Sequence, residues 1–272
     1  TLDSQTKTAI EILGDVLRDS QFFDFEKERS VILEEIASIE DVPEDYAHDL
    51  LMERVWPNHS LGRSVSGYEE TVSALTLEQV RAYYEAWYRP ENMLVTLAGR
   101  FEPDDAFEWI RTQFEDMPAT PAPETYSAPL FGAGLDTAVR DIAQSHYCLA
   151  FPGPSATDPH RYVYEMLTNA LGGGSTSRLF ERIREQEGLA YSIYAFRSSY
   201  RPCGLVGLYA AVAPEMLRHA LDITCEELRK MREAPLPEQE LELNREQLKG
   251  GFLLSLESSF NRMSRLAKSM MH

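Results

Sequence analysis

Two stretches decide how the fold is read: Ala9-Ile10-Glu11-Ile12-Leu13-Gly14-Asp15-Val16-Leu17-Arg18 and Ala220-Leu221-Asp222-Ile223-Thr224-Cys225-Glu226-Glu227-Leu228-Arg229. They lie 211 residues apart (220 minus 9), match at four positions, and are each followed by a loop and a second, acidic helix. Two amphipathic helices can share such a pattern by chance; a true repeat means two copies of one fold. If the repeat is real, it also predicts what each copy lacks. Residues 136–211 precede the matching helix of the second copy and have no counterpart in the first. The first copy runs on to about residue 118, which maps to about residue 329 (118 plus 211), past His272. Both copies are therefore expected to be truncated, with the chain forming the middle of a longer protein.

Outward from these stretches, the apolar spacing predicts helices over about 24–39, 44–55, 77–87 and 103–114. Asp3 or Ser4 is the expected N-cap of the first helix, and Thr76 with Gln79 makes a capping box for the helix at 77–87. Residues 93–98 are a short apolar run between Asn92 and Gly99, which reads as a buried strand. Pro118, Pro121, Pro123, Pro129, Gly132 and Gly134 mark residues 118–134 as a linker and hinge. Beyond it come a strand at 147–151, a helix at 159–171, a second helix at 176–187, and strands at 189–197 and 205–212. Gly172-Gly173-Gly174 separates the two helices and reads as a flexible joint. Pro214 opens the next helix, and a last one runs from about Pro237 to the end. The expected division is residues 1–117, a linker at 118–135, and residues 136–272.

Composition narrows the function classes. Of 272 residues, 43% are hydrophobic and 26% charged, ordinary globular usage. Lys and Arg total 26 against 44 Asp and Glu, a net charge of −18 that repels phosphate backbones. With no basic cluster, nucleic acid is not an expected partner; with only short apolar runs, neither is a membrane. Cys148, Cys203 and Cys225 are odd in number and lack CxxC spacing, which suits buried thiols in a reducing compartment. A cytoplasmic location is expected, with a mitochondrial matrix or periplasm left open because residues upstream of Thr1 are expected.

Two pairs of residues could carry chemistry. Glu28 and Glu35 are seven apart on one predicted helix, close to two turns, so both carboxylates face one way. A carboxylate on a helix can complete a zinc site begun by two histidines; equally, this is an acidic solvated face, with Glu26, Glu34, Glu40, Asp41, Glu44 and Asp45 nearby. His48, His59, His146, His160, His219 and His272 form no HxxEH or HExxH spacing and read as surface or core residues. Arg184, in a helix that Gly188 should end, and Tyr191, at the start of the next strand, could donate hydrogen bonds to a carbonyl in a shared cleft, or be an ordinary surface Arg and a half-buried Tyr.

Longer matches weigh on these alternatives. Glu28-Arg29-Ser30-Val31-Ile32-Leu33-Glu34-Glu35-Ile36 resembles the acidic helix of the insulinase-like, or processing-peptidase-like, zinc peptidases. So do His59-Ser60-Leu61-Gly62-Arg63, Tyr88-Arg89-Pro90-Glu91-Asn92-Met93, and Leu171-Gly172-Gly173-Gly174-Ser175-Thr176-Ser177-Arg178-Leu179-Phe180 with Arg184, Gly188 and Tyr191 after it. The matches keep the family order over nearly the whole chain. The resemblance implies an α+β fold of two homologous insulinase-like α/β sandwich domains, both truncated here. It implies zinc in the full-length protein, bound by an inverted HxxEH helix that this chain lacks, with Glu35 matching the third ligand and Glu28 an acidic position supporting the site. Arg184 and Tyr191 match a pair that contacts the substrate peptide. The expected function is that of a fragment of a zinc endopeptidase that cleaves peptides or unfolded segments enclosed between two domain halves. Zinc and activity are not expected of this chain alone. The alternative is a non-catalytic peptide-binding subunit that partners an active peptidase. A homodimer, or a heterodimer with a related chain, is a further expectation.

Overall fold

The structure, a computed structural model, describes residues 1–117 and 127–271; most of the proline-rich linker, residues 118–126, lies outside that range, as does His272. Ten α-helices are described: α1 (Thr6–Arg18), α2 (Phe25–Asp41), α3 (Pro43–Val55), α4 (Glu69–Ala74), α5 (Leu77–Trp87), α6 (Pro103–Phe114), α7 (Arg161–Gly172), α8 (Leu217–Glu233), α9 (Glu238–Ser255) and α10 (Ser259–Met271). Three strands accompany them: β1 (Ser145–Gly153), β2 (Ala190–Ser199) and β3 (Gly204–Val212). The contacts sort the chain into two units, one of Thr1–Glu34, the described part of Glu69–Tyr126 and Leu253–Met271, the other of Glu35–Tyr68 and Ser127–Phe252.

The first unit is helical. α1 packs on α6, and the Tyr84 hydroxyl of α5 donates to the Leu17 carbonyl at the end of α1 (2.7 Å). α5 starts as its sequence dictates: Thr76 Oγ1 accepts from the Gln79 N–H and the Gln79 side chain accepts from the Thr76 N–H. At α1 the expected cap is corrected. Residues Asp3–Gln5 wind into a 3-10 turn in which Asp3 Oδ1 accepts from the Ser4 N–H (2.8 Å), so the carboxylate is engaged before the helix starts, Gln5 takes the N-cap position, and no side chain caps the helix. Residues 93–98 are also corrected. They form no strand, and Leu94 and Val95 are 44% and 43% exposed, because a strand exists only where a neighbour pairs its backbone groups. The last predicted helix is two. The chain turns at Leu256, Glu257 and Ser258, and Ser258 Oγ accepts from the Asn261 N–H to start α10.

The second unit is built on an antiparallel sheet ordered β1-β3-β2, with all of its strands drawn from residues 145–212. Tyr209 of β3 lies opposite both Cys148 and Tyr194, which sets those three side chains on one face. The other face carries Leu208, Ala210 and Val212 into a core with Leu171, Leu179, Ile183, Ala220 and Ile223 from α7, α8 and the segment between. Here the glycine triplet is corrected from joint to contact point. A Cβ on Gly172 would lie 2.4 Å from the Ala195 nitrogen, so glycine is what lets α7 meet β2. α3 covers the opposite face, where Val55, Trp56 and Leu205 form a second small core with Ala150 and Phe196. The described end of the linker is strapped to α3: the Gly132 N–H donates to the Val55 carbonyl (2.7 Å), and Arg54 grips Asp136 with two hydrogen bonds.

Candidate functional site

Arg184 and Tyr191 come together. The helix predicted over 176–187 is, from Phe180 to Gln186, a π-helix, in which the Glu187 N–H reaches the Arg182 carbonyl five residues back (3.2 Å). Such turns occur often at functional sites. Leu189 N–H then closes on the Ile183 carbonyl (2.8 Å), and Gly188, at φ +63°, reverses the chain as a left-handed residue. The reversal brings the Tyr191 carbonyl to Arg184 Nη1 (2.5 Å). The guanidinium carbon is 4.8 Å from the Tyr191 ring centroid and 4.8 Å from that of Phe180. Tyr191 is 79% exposed, so its side chain is available to a ligand. Among the described residues Arg184 makes no ion pair, in a chain with 44 carboxylate side chains, whereas Arg178, Arg182 and Arg197 are paired with Glu240, Glu187 and Glu165. An arginine has five N–H donors. Arg184 gives one to Tyr191 and can offer others to a carbonyl or carboxylate.

Glu28 and Glu35 lie exposed on α2, and neither forms an ion pair among the described residues. No contact joins Glu35 to Arg184 or Tyr191. Nor do any three His, Cys, Asp or Glu side chains among the described residues converge as a metal-holding group. Catalytic zinc usually takes three protein ligands, so the one exposed carboxylate of Glu35 does not by itself fit a zinc site.

Sequence reasoning missed a polar seam between α3 and the sheet. Tyr194 donates its only proton to Glu44 Oε1 (2.6 Å), so its oxygen accepts from His48 Nε2 (2.9 Å). The His48 ring stacks on Tyr194 and Tyr209 and meets the edge of Phe196. His146 Nδ1 bonds the Tyr209 hydroxyl (2.8 Å). Burial lowers both histidines below 6.5; Glu44, Asp45 and Asp49 oppose the shift at His48, and Glu44 opposes it at His146. Burial and then Glu44 push the Cys148 thiol up to about 12, and burial and Glu44 also raise Tyr194 and Tyr209. The only local hint was the four-residue step from Glu44 to His48, one helix turn.

A cleft of about 390 Å³ lies against the π-helix, lined by Arg178, Glu181, Arg182, Glu227 and Lys230 among others. Its cations already face carboxylates, Lys230 to Glu227 at 2.6 Å, Arg182 to Glu187 at 3.6 Å and Arg178 to Glu240 at 2.7 Å, so among the described residues it presents no unpaired cation to a ligand.

The mixed helix and sheet architecture is that of M16-like peptidase structures. The full chain superposes on a protease from Helicobacter pylori with a TM-score of 0.91 at 17% identity, covering 68% of that chain. With 91% of its length it matches a peptidase M16 inactive domain from Pseudomonas fluorescens (TM-score 0.85, 21% identity, 61% of that chain). Residues 74–248 match the family model described as the peptidase M16 inactive domain, and the chain belongs to this insulinase-like family. Among curated relatives, an uncharacterized zinc protease of Streptomyces coelicolor is 37% identical over 98% of this chain and 61% of its own length. Another, of Bacillus subtilis, is 34% identical over 98% of this chain and 66% of its own length. The chain thus spans a little under two thirds of the relatives it matches.

Proposed function

We propose that the chain is part of a zinc metalloendopeptidase, in which it supplies the peptide-binding side of the site and one metal ligand. The observation that carries this reading is the Arg184–Tyr191 pair: a guanidinium without a carboxylate partner among the described residues, flanked by the Phe180 ring and by the exposed phenol of Tyr191. Such donors suit the carbonyl oxygens of an extended peptide. Glu35 is the proposed metal carboxylate and Glu28 its support, with the remaining ligands outside the described residues. Relatives described as zinc proteases support the reading. So does the recurrence of a helix triplet of 13, 17 and 13 residues (α1 to α3) as one of 17, 18 and 13 (α8 to α10), in keeping with tandem copies of one domain. A second reading, a non-catalytic peptide-binding subunit paired with a related chain, is favoured by the match to an inactive-domain model.

The test uses the full-length protein. Glu35→Gln should abolish zinc retention and peptide cleavage together, because an amide is a poorer ligand than a carboxylate. Arg184→Ala should keep the zinc and raise KM. Metal content by elemental analysis, with cleavage of an unfolded casein peptide, reads both. A full-length protein with neither zinc nor cleavage favours the second reading. Metal loss in Arg184→Ala removes that residue from the peptide side.

A further inference from the structure

The two rings around Arg184 are not equivalent. Tyr191 is largely exposed, and the side-chain contact its ring makes among the described residues is with Arg184. Phe180 is half-buried and packed against the core formed by Leu179, Ile183 and Leu208, at the first residue of the π-helix. The core thus fixes the Phe180 ring, the ring supports the guanidinium at 4.8 Å, and the guanidinium in turn holds Tyr191 by ring and carbonyl. A cation over an aromatic face is attracted by the ring quadrupole, and a ring held from below turns that attraction into a fixed direction. An arginine side chain otherwise has several rotatable bonds to order on binding a ligand, and ordering it beforehand reduces that cost.

We propose that Phe180 is a positioning residue: it orients Arg184 for the peptide and does not touch the peptide itself. The proposal rests on the reading of Arg184 as a peptide-binding group, and the test separates the two. The full-length protein is prepared as Phe180→Leu, Phe180→Tyr, Arg184→Ala and the double variant Phe180→Leu/Arg184→Ala, and cleavage of the casein peptide is measured. Phe180→Leu should raise KM by about threefold to tenfold, the scale of one lost cation–π contact, with kcat little changed. Phe180→Tyr keeps the aromatic face and should stay near the parent. The double variant should be no worse than Arg184→Ala alone, because Phe180 has nothing left to orient. Effects that multiply in the double variant overturn the proposal, since Phe180 then acts without Arg184.

A second readout is independent of activity. In the NMR spectrum the Arg184 Nε–Hε resonance should move in Phe180→Leu, as one ring current is lost, and hold in Phe180→Tyr. An unmoved resonance in Phe180→Leu overturns the positioning role whatever the kinetics show. If the resonance moves as expected but Arg184→Ala leaves KM unchanged, the peptide-binding reading of Arg184 fails and the orientation by Phe180 stands.

Discussion

The two faces of the three-stranded sheet are held in different ways. On one, Leu208, Ala210 and Val212 meet Leu179, Ile183, Ala220 and Ile223 in a core of aliphatic side chains. On the other, next to Val55, Trp56 and Leu205, Glu44, His48, His146, Tyr194 and Tyr209 share hydrogen bonds and stacked rings. Both contacts are made by β3, whose alternate residues point opposite ways. The aliphatic face rests mainly on exclusion of water, with one hydrogen bond between Tyr147 and Thr224 at its margin (3.0 Å), and holds no group that titrates between pH 5.5 and 7.5 among those named. The polar face needs each donor to find its acceptor, so it responds to pH and to the loss of one atom.

The strongest attack on this comparison is on the aliphatic side. Leu208→Ala should cost about 2–5 kcal/mol of stability, since the side chain is buried and the void cannot fully collapse. The loss, read from urea denaturation, should be the same at pH 7.5 and pH 5.5. Tyr194→Phe removes one oxygen from the polar face and should cost about 1–3 kcal/mol, because it strands the His48 N–H and takes one donor from the Glu44 carboxylate. A result near zero would mean that water replaces the hydroxyl and that the seam is wetter than it looks.

The pH response has a definite sign. Both histidines sit below 6.5 in the folded protein, so between those values and 6.5 the unfolded chain holds protons that the folded one does not. Stability therefore rises with pH, is fully present above about 6.5 and is lost as the pH falls below it. The urea midpoint should be lower at pH 5.5 than at pH 7.5. His48→Gln, which keeps an N–H donor without a titrating ring, should reduce that difference; an undiminished difference moves the effect to His146 or elsewhere. The smallest effect belongs to neither face. Tyr191→Phe keeps the ring and carbonyl that Arg184 touches and should change stability by less than about 0.5 kcal/mol, as for other exposed positions; a larger loss would give the Tyr191 hydroxyl itself a structural role.

How much could be read in advance depended on how local the cause was. The Thr76 and Gln79 box and the left-handed Gly188 involve atoms a few residues apart, and both are found where the sequence puts them. Residues 93–98 have the composition of a strand, but pairing is a long-range event. The glycine triplet looked like a joint because its reason, the approach of Ala195, is 23 residues away (195 minus 172). The π-helix was unreadable because the same residues suit an α-helix. What selects the wider turn is its closure at Gly188 and the packing of Ile183 into the core.

The sequence by itself determined most of the helices, the places of the three strands, and the residue types and order that carry the family resemblance, including Arg184 and Tyr191 seven positions apart, but not α4, the break between α9 and α10 or the lack of a strand at 93–98. The features it determined follow from propensity, periodicity and caps, which act within a turn or two of chain. The tertiary structure alone decided that α3 lies on a sheet made of residues about a hundred and more positions later. It also decided that Glu44, His48, Tyr194 and Tyr209 form one hydrogen-bonded seam, and that Phe180 and Tyr191 flank one guanidinium. A buried polar or cationic group is defined by the partners that replace its water, and those partners come together only when the chain has folded.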